Sequence, residues 1–337
     1  MTSDRQTDRG STTLERRLAC AVGVGIAYTL LTYVLLVNAR PELQANDFTY
    51  PWLAARAMLH GDEPYAYVAR QATPWGGAFF YPLTAAVAVL PLAALPVRLA
   101  GSLFVGLGAG LLAFFVSREG LWRLLMFASA PAIRACGGVQ WSPLLTAAAL
   151  CPGLLGFAAC KPNLLLPLLA YHANRRAIVY CLLGGALLAV PALVFDVTWP
   201  LKWIDALRMD PRATQYRAPL LTMFGWPIAL AALRWPRSEA KLLLAMAVVP
   251  QNGFFYEQLP LMIIPRSPRQ LLVMCATSIA AFVIGLGSLP RQEAPQVWSD
   301  HLYPFMIAGV YLPALVFVLM SRTRPADSQV PQLAEKA

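Results

Sequence analysis

Charged side chains are scarce in this chain, and those with a chemical use fall in short polar stretches between apolar runs. Asn46-Asp47-Phe48-Thr49-Tyr50 and Gly61-Asp62-Glu63-Pro64-Tyr65 place carboxylates at both ends of one loop. A carboxylate at an apolar surface can take a proton from an attacking hydroxyl. It can also cap a helix start, which is the ordinary reading of Asp47 by composition and of Asp62 and Glu63 before Pro64. Lys161, in Ala159-Cys160-Lys161-Pro162-Asn163, is the one lysine inside an otherwise apolar region. A charge at membrane depth is costly, so Lys161 is a functional candidate, with snorkelling to an interface as the structural alternative. Glu257, in Pro250-Gln251-Asn252-Gly253-Phe254-Phe255-Tyr256-Glu257-Gln258, poses the same choice.

A second polar stretch, Asp196 to Arg217, holds Lys202, Arg208, Arg212 and Arg217. Arginine forks bind phosphate oxygens bidentately, so a phosphate or phospholipid headgroup would explain them, while Asp205 and Asp210 offer local counter-charge. His301, in Trp298-Ser299-Asp300-His301, is a candidate acid–base group. His60 and His172 read as structural. The sequence has no metal-ligand spacing, no phosphate-cradling glycine loop and no Ser-His-Asp arrangement, so no cofactor and no obligatory metal ion is expected.

The elements that must position these residues are membrane helices. The chain is 58% hydrophobic and only 13% charged, with a mean hydropathy of +0.55. Its repeated apolar runs, about 15 to 20 residues each, fit lipid-spanning helices, the open structure whose backbone can be satisfied in hydrocarbon. The fold class is therefore all-α, a polytopic bundle of about 10–12 spans, several short or broken. The net charge of +10 follows from basic gaps between spans rather than from a nucleic-acid surface. The six cysteines include no C-x-x-C pair and read as small buried hydrophobes.

Spans are expected near 18–38, 81–97, 99–117, 178–195, 218–234, 242–256, 271–289 and 304–321. Proline and glycine break 124–171 into three short helices, and 257–265 is too short to cross without borrowing from Gly253 onward. Cytoplasmic anchors would be the N-terminus, Arg98, Arg175-Arg176, Arg234 with Arg237 and Lys241, Arg266 with Arg269, and the tail from Arg322. This predicts a cytoplasmic segment 1–17, one membrane domain over 18–321 and a disordered cytoplasmic tail over 322–337. The first span reads as a retained signal anchor. Loops 39–80, 196–217 and 290–303 then share the extracytoplasmic face. Within the first, Pro51 to Leu59 has helical composition, stopped at Gly61, with Trp52, Ala55 and Leu59 on one face. It is expected to lie on the membrane as an amphipathic helix. No internal repeat is visible.

The order of these motifs resembles the integral-membrane glycosyltransferase family 87. The resemblance rests on Asp47-Phe48 with Tyr50, Gly61-Asp62-Glu63-Pro64-Tyr65, Phe80-Tyr81-Pro82-Leu83, Gln140 before a short helix, and Lys161-Pro162-Asn163, over about residues 20–265. It implies a GT-C fold, a polyprenol-phosphate-mannose donor and a lipid or glycan acceptor. It also implies Asp47 as general base and Lys161 near the donor phosphate; Tyr50, Tyr65 and Gln140 of its motifs, with Arg208, Arg212 and Arg217 read above from their charge, are the further substrate-binding candidates. Where that family has Ser-Pro followed by a Trp and a His pair, this chain has Val249-Pro250 and then Phe255-Tyr256-Glu257-Gln258. Glu257 and His301 are the candidate substitutes.

The leading expectation is a multi-pass enzyme of the cell membrane that moves a hexose from a polyprenyl-phosphate carrier on the extracytoplasmic face. The reading from another class is a transporter or flippase, with Lys161 and Glu257 lining its path; a non-catalytic divergent family member is the third. Transporters commonly have paired halves and midplane charges. The halves here do not match.

Overall fold

Proline and glycine spacing divides the chain into long and short helices. A computed structural model describes residues 12–39, 44–74, 76–209, 216–289 and 295–321, and no strand forms among them. α1 (Leu14–Asn38) begins where the Thr13 hydroxyl accepts the Arg16 N–H. The next three helices are short: α2 (Thr49–His60), α3 (Pro64–Ala69) and α4 (Leu83–Val89), the last extended by a turn over Leu90–Leu92. α5 (Val97–Val116) is long again. It is followed by a 3₁₀ segment Leu121–Ala128, α6 (Ala130–Gly138), α7 (Ser142–Leu150), a 3₁₀ helix Pro152–Cys160 and α8 (Leu165–His172). α9 (Arg175–Phe195) and α10 (Trp199–Met209) lead to a 3₁₀ helix Trp226–Arg234, α11 (Ser238–Val248) and a further 3₁₀ helix Tyr256–Ile263. α12 (Pro268–Gly287), α13 (Pro295–Met306) and α14 (Leu312–Met320) close the fold, the last two joined by a π-turn.

Among the described residues, five helical stretches are long and apolar enough to cross a membrane: 14–38, 97–119, 175–195, 268–287 and 297–320. Only 6% of the apolar window of α9 is buried inside the protein. Leu182, Leu183, Leu187 and Val194 face outward along it, a surface that only lipid can cover without cost. These features mark a membrane protein.

Small residues set the first pairing. Gly106 and Gly110 of α5 meet Gly25 and Ala21 of α1, and a Cβ at Gly106 would fall 1.9 Å from Thr29 Oγ1 and 2.7 Å from the Gly25 carbonyl. Such close backbone approach is the usual basis of helix association in lipid. The pair is antiparallel, because the Thr12 hydroxyl bonds to the Ser117 carbonyl. One end of the bundle, the basal end, therefore holds the start of α1 and the end of α5; the opposite, loop end holds Asn38 and Val97.

This pairing corrects the expected span over 81–97. Both ends of α4 and its extension stay at the loop end: the Trp52 indole donates to the Leu95 carbonyl and Thr84 donates to the Ala159 carbonyl. Arg98 consequently sits at the loop end, opposite the start of α1 with which it was expected to share the cytoplasmic face. The segment, Leu83–Leu92 at its helical core, is too short to cross. It folds back over α2, which is therefore an internal helix: residues 49–55 and Ala57 are buried, and Leu59 is exposed. The expected membrane-surface helix has its Trp52 face on protein, not on lipid.

The region 124–171 forms four short traverses, where three were expected. α6 rises from the basal half to Gly138, α7 descends to Leu150, Pro152–Cys160 rises again and α8 descends to His172. At about 1.5 Å per residue, or 2.0 Å in the 3₁₀ case, nine residues cover only about 14–18 Å, roughly half of a ~30 Å hydrocarbon core. α11 and Tyr256–Ile263 repeat the pattern. Glycine permits the depth match, since Gly156 lies backbone to backbone against Gly184 of α9. The ends of these half-length helices meet at one level, and the polar residues stand there.

Candidate functional site

Asp47 lies in a 3₁₀ turn, Asn46–Phe48, whose flanks are pinned on every side. Asn46 donates its amide to the Gly137 carbonyl, Phe48 is fully buried with its ring centroid 5.0 Å from that of Phe104, and the Ala45 N–H donates to Thr49 Oγ1 at 3.0 Å. The Tyr50 hydroxyl donates to the Gly76 carbonyl at 3.0 Å. A carboxylate between such anchors keeps its direction.

Gln140 is the next link. Its Nε2 donates to Asp47 Oδ2 and, at 3.2 Å, to the Gly138 carbonyl, while its Oε1 accepts from Lys161 Nζ at 3.2 Å. Only this amide orientation satisfies both neighbours, nitrogen toward the carboxylate and oxygen toward the ammonium. A Cβ at Gly138 would stand 3.2 Å from Gln140 Cγ and Nε2, so the glycine makes room for the side chain.

Lys161 sits at the break between two 3₁₀ segments and is 7% exposed. Its ammonium lies 2.9 Å from Glu257 Oε1 and 4.9 Å from the Tyr256 ring centre. Glu257 is fully buried and also accepts the Asn163 amide at 3.0 Å and the Asn252 N–H at 3.1 Å. Its loop is braced by Gly253, whose N–H donates to Ser299 Oγ at 2.9 Å and whose missing Cβ would strike the Ser299 carbonyl. Asp47, Gln140, Lys161 and Glu257 thus form one continuous polar chain across four separate elements.

Strain accompanies the chain. Asn46, Val139 and Phe255 have φ of 50°, 50° and 71°, each one or two residues from a member of it. For a β-branched valine this is a real outlier, and such residues cost about 1–3 kcal/mol each unless the surroundings hold them. Aromatic rings wall the same space. Tyr81 stands 6.4 Å from Trp141 and 6.2 Å from Phe79, ring centre to ring centre. The charges of Asp47 and Glu257 reach both Tyr81 and Tyr256.

Other expected site residues are engaged elsewhere. Arg208 pairs with Asp205 at 3.6 Å and Arg217 with Asp300 at 2.8 Å, both substantially exposed; Arg212 lies outside the described residues. Lys202 bridges Asp196 at 2.7 Å and Glu63 at 3.4 Å, while Glu63 caps α3 through the Tyr65 and Ala66 N–H groups. Burial opposes ionisation of Asp196, but the bonds from Lys202 and Thr198 outweigh it and hold the carboxyl below its usual range. The hydrogen bond to Asp196 correspondingly raises the Lys202 ammonium. His301 bonds Ser288 Oγ at 2.9 Å and packs on Phe305. The Tyr65 hydroxyl donates to the Tyr81 carbonyl at 3.3 Å, and burial pushes it well above the ordinary tyrosine range, so it is a neutral positioning group.

Arg134 of α6 is absent from the sequence-based site. Its signal was present as an arginine inside a proline-bounded apolar run, Ala130-Pro131-Ala132-Ile133-Arg134.

The fold and site together define an all-helical membrane protein with a charged cluster buried at the meeting point of half-length helices. Comparison with known proteins finds no matching family, no matching curated protein and no matching solved structure.

Proposed function

We propose that this chain is a multi-pass membrane glycosyltransferase of GT-C type, moving a hexose, mannose in the leading case, from a polyprenyl-phosphate carrier to a lipid or glycan acceptor. The basal end faces the cytoplasm in this reading, because Arg16, Arg17, Arg175, Arg176, Arg234 and Arg237 gather there. The loop end and Asp47 then face the extracytoplasmic side. The observation that carries the proposal is the fixed direction of Asp47, linked through Gln140 to Lys161.

In a single inverting displacement, the acceptor oxygen attacks the anomeric carbon and the bond from that carbon to the donor phosphate breaks. The hydroxyl proton passes to Asp47, and the electron pair leaves on the polyprenyl phosphate. A phosphate departs without protonation, so the reaction requires one base and a nearby cation rather than an acid. Lys161 supplies a cation, but Glu257 already neutralises it; its share is to hold Gln140, and through it Asp47.

Labelled mannose transfer from polyprenol-phosphate-mannose, in membranes carrying wild type or Asp47→Asn, tests this. Wild type transfers and Asp47→Asn is slower by about 10²–10⁴-fold, the usual worth of a positioned base. Failure of wild type with every acceptor tried removes the enzyme reading.

One observation favours a second reading. Helices interrupted at a buried ion pair are also how transporters build substrate sites, and Lys161–Glu257 lies at such breaks. Lipid-linked sugar moved across proteoliposomes without chemical transfer would select it.

A further inference from the structure

Arg123 is buried and Arg134 is half-buried, and only the first has its donors spent on protein acceptors. Arg134 projects from the middle of α6, with its guanidinium 5.4 Å from the Phe282 ring centre on α12. Its Nη1 lies 3.4 Å from where a Cβ of Gly137 would stand, and the Gly137 carbonyl is the group that holds Asn46, next to Asp47. Its Nε is enclosed and has no hydrogen-bond acceptor. Neither α6 nor α12 carries a carboxylate. The carboxylate whose field reaches it is Asp47, which is not in ion-pair contact with it. Glu257, across the site, is already saturated by Lys161, Asn163 and Asn252.

A half-buried guanidinium that offers five donors and finds, among the described residues, a ring face but no acceptor leaves its fork open to an anion. Among the described residues no side chain supplies one, and the fork geometry suits tetrahedral phosphate oxygens. We propose that Arg134 is the anion ligand of the site and binds the phosphate of a polyprenyl-phosphate lipid. The choice of lipid rests on the glycosyl-transfer reading; the need for an anion does not. Charge balance supports the placement. During transfer Asp47 gains a proton and loses its negative charge while one negative charge appears on the departing phosphate. A cation within the field of Asp47 serves the second state better than the first.

The test uses purified full-length protein in phosphatidylcholine nanodiscs, titrated with polyprenyl phosphate, with the uncharged polyprenol, and with phosphatidylglycerol. Wild type should prefer the phosphate over the alcohol by about 10- to 100-fold, the worth of charge-assisted bonds. Arg134→Gln should lose that preference and Arg134→Lys retain part of it. Equal affinity of Arg134→Gln and wild type for polyprenyl phosphate overturns the assignment, as does no binding by wild type. Phosphatidylglycerol binding as tight as polyprenyl phosphate overturns the choice of lipid. Thermal unfolding separates a structural role: Arg134→Met should melt at or above the wild-type temperature, since it removes an uncompensated charge, whereas a marked drop overturns the proposal. Loss of the phosphate preference in Arg134→Gln, beside a wild type that transfers no sugar, would sink the glycosyltransferase reading and leave the anion site standing. Unchanged binding in a variant that still transfers sugar would do the reverse.

Discussion

Arg123 and Arg134 sit on neighbouring segments and show what separates a fastener from a site. At the basal end, Arg123 donates to Glu119 and to the Ile263 and Pro265 carbonyls, the last two at 3.1 and 2.6 Å, and lies over Trp122. Its donors are spent on closing the chain. Beside it Arg266 holds Glu239, with Nε at 3.1 Å, and both pairs line a cavity of about 650 Å³ with Tyr171 and Trp122. That cavity is large, yet every charge in it has an internal partner. Toward the loop end Arg134 has no such acceptors among the described residues, and the polar chain from Asp47 to Glu257 runs through tight contacts at strained backbone. Satisfied charge marks one region and unfinished bonding marks the other, and chemistry is expected at the second.

The comparison can be broken first at Lys161. Lys161→Met leaves a fully buried Glu257 without its counter-ion, which should cost about 3–5 kcal/mol. Adding Glu257→Gln keeps an acceptor for the Asn252 N–H and should recover much of the loss in thermal unfolding, while sugar transfer stays impaired because Gln140 has lost its ammonium. Full recovery of transfer in the double variant would show that the chain does not position Asp47.

A smaller effect is expected at the basal end. Arg123→Met strands two carbonyls and should destabilise by about 1–3 kcal/mol, the cost of unmade buried bonds, with transfer per folded molecule unchanged. A fall in transfer without a fall in stability would move the site to the basal cavity.

The smallest effect lies in Lys202. Asp196 is held below its unfolded value, so its contribution is present above about pH 3.9 and is lost as pH falls through the folded value. Lys202 is raised, so its share is present below about pH 10.4 and is lost as pH rises beyond it. Both side chains touch solvent, and the pair should be worth no more than about 1 kcal/mol. The melting temperatures of wild type and Lys202→Met should differ slightly at pH 7 and converge in acid; a gap that widens in acid would contradict the pairing.

Much of this was legible in the residues, for physical reasons. The long apolar runs declare themselves because lipid leaves the backbone little choice. Asp47, Lys161 and Glu257 stood out because charged groups in apolar surroundings are costly, whereas Gln140 entered only through the family resemblance. What escaped was depth. Whether 81–97 crosses depends on where α5 begins relative to α1, which is set by Gly25 against Gly106, a pairing that involves two distant segments. The same error put Arg98 on the wrong end and laid α2 on lipid when α4 covers it. The four outer cations looked like phosphate ligands by type, yet Arg208 pairs with Asp205, the local counter-charge the sequence offered, and Arg217 with Asp300, which sequence distance disguised. Arg134 was overlooked because its helix is short and its neighbours are alanine and glycine; its meaning comes from what α12 fails to provide.

The central claim is that Asp47 takes the acceptor proton. Its most direct measurement is the initial rate of labelled mannose transfer from polyprenol-phosphate-mannose by equal amounts of folded wild type and Asp47→Asn. A rate lower by about 10²–10⁴-fold in the variant, with donor binding retained, is the predicted result. Equal rates for the two proteins would contradict it.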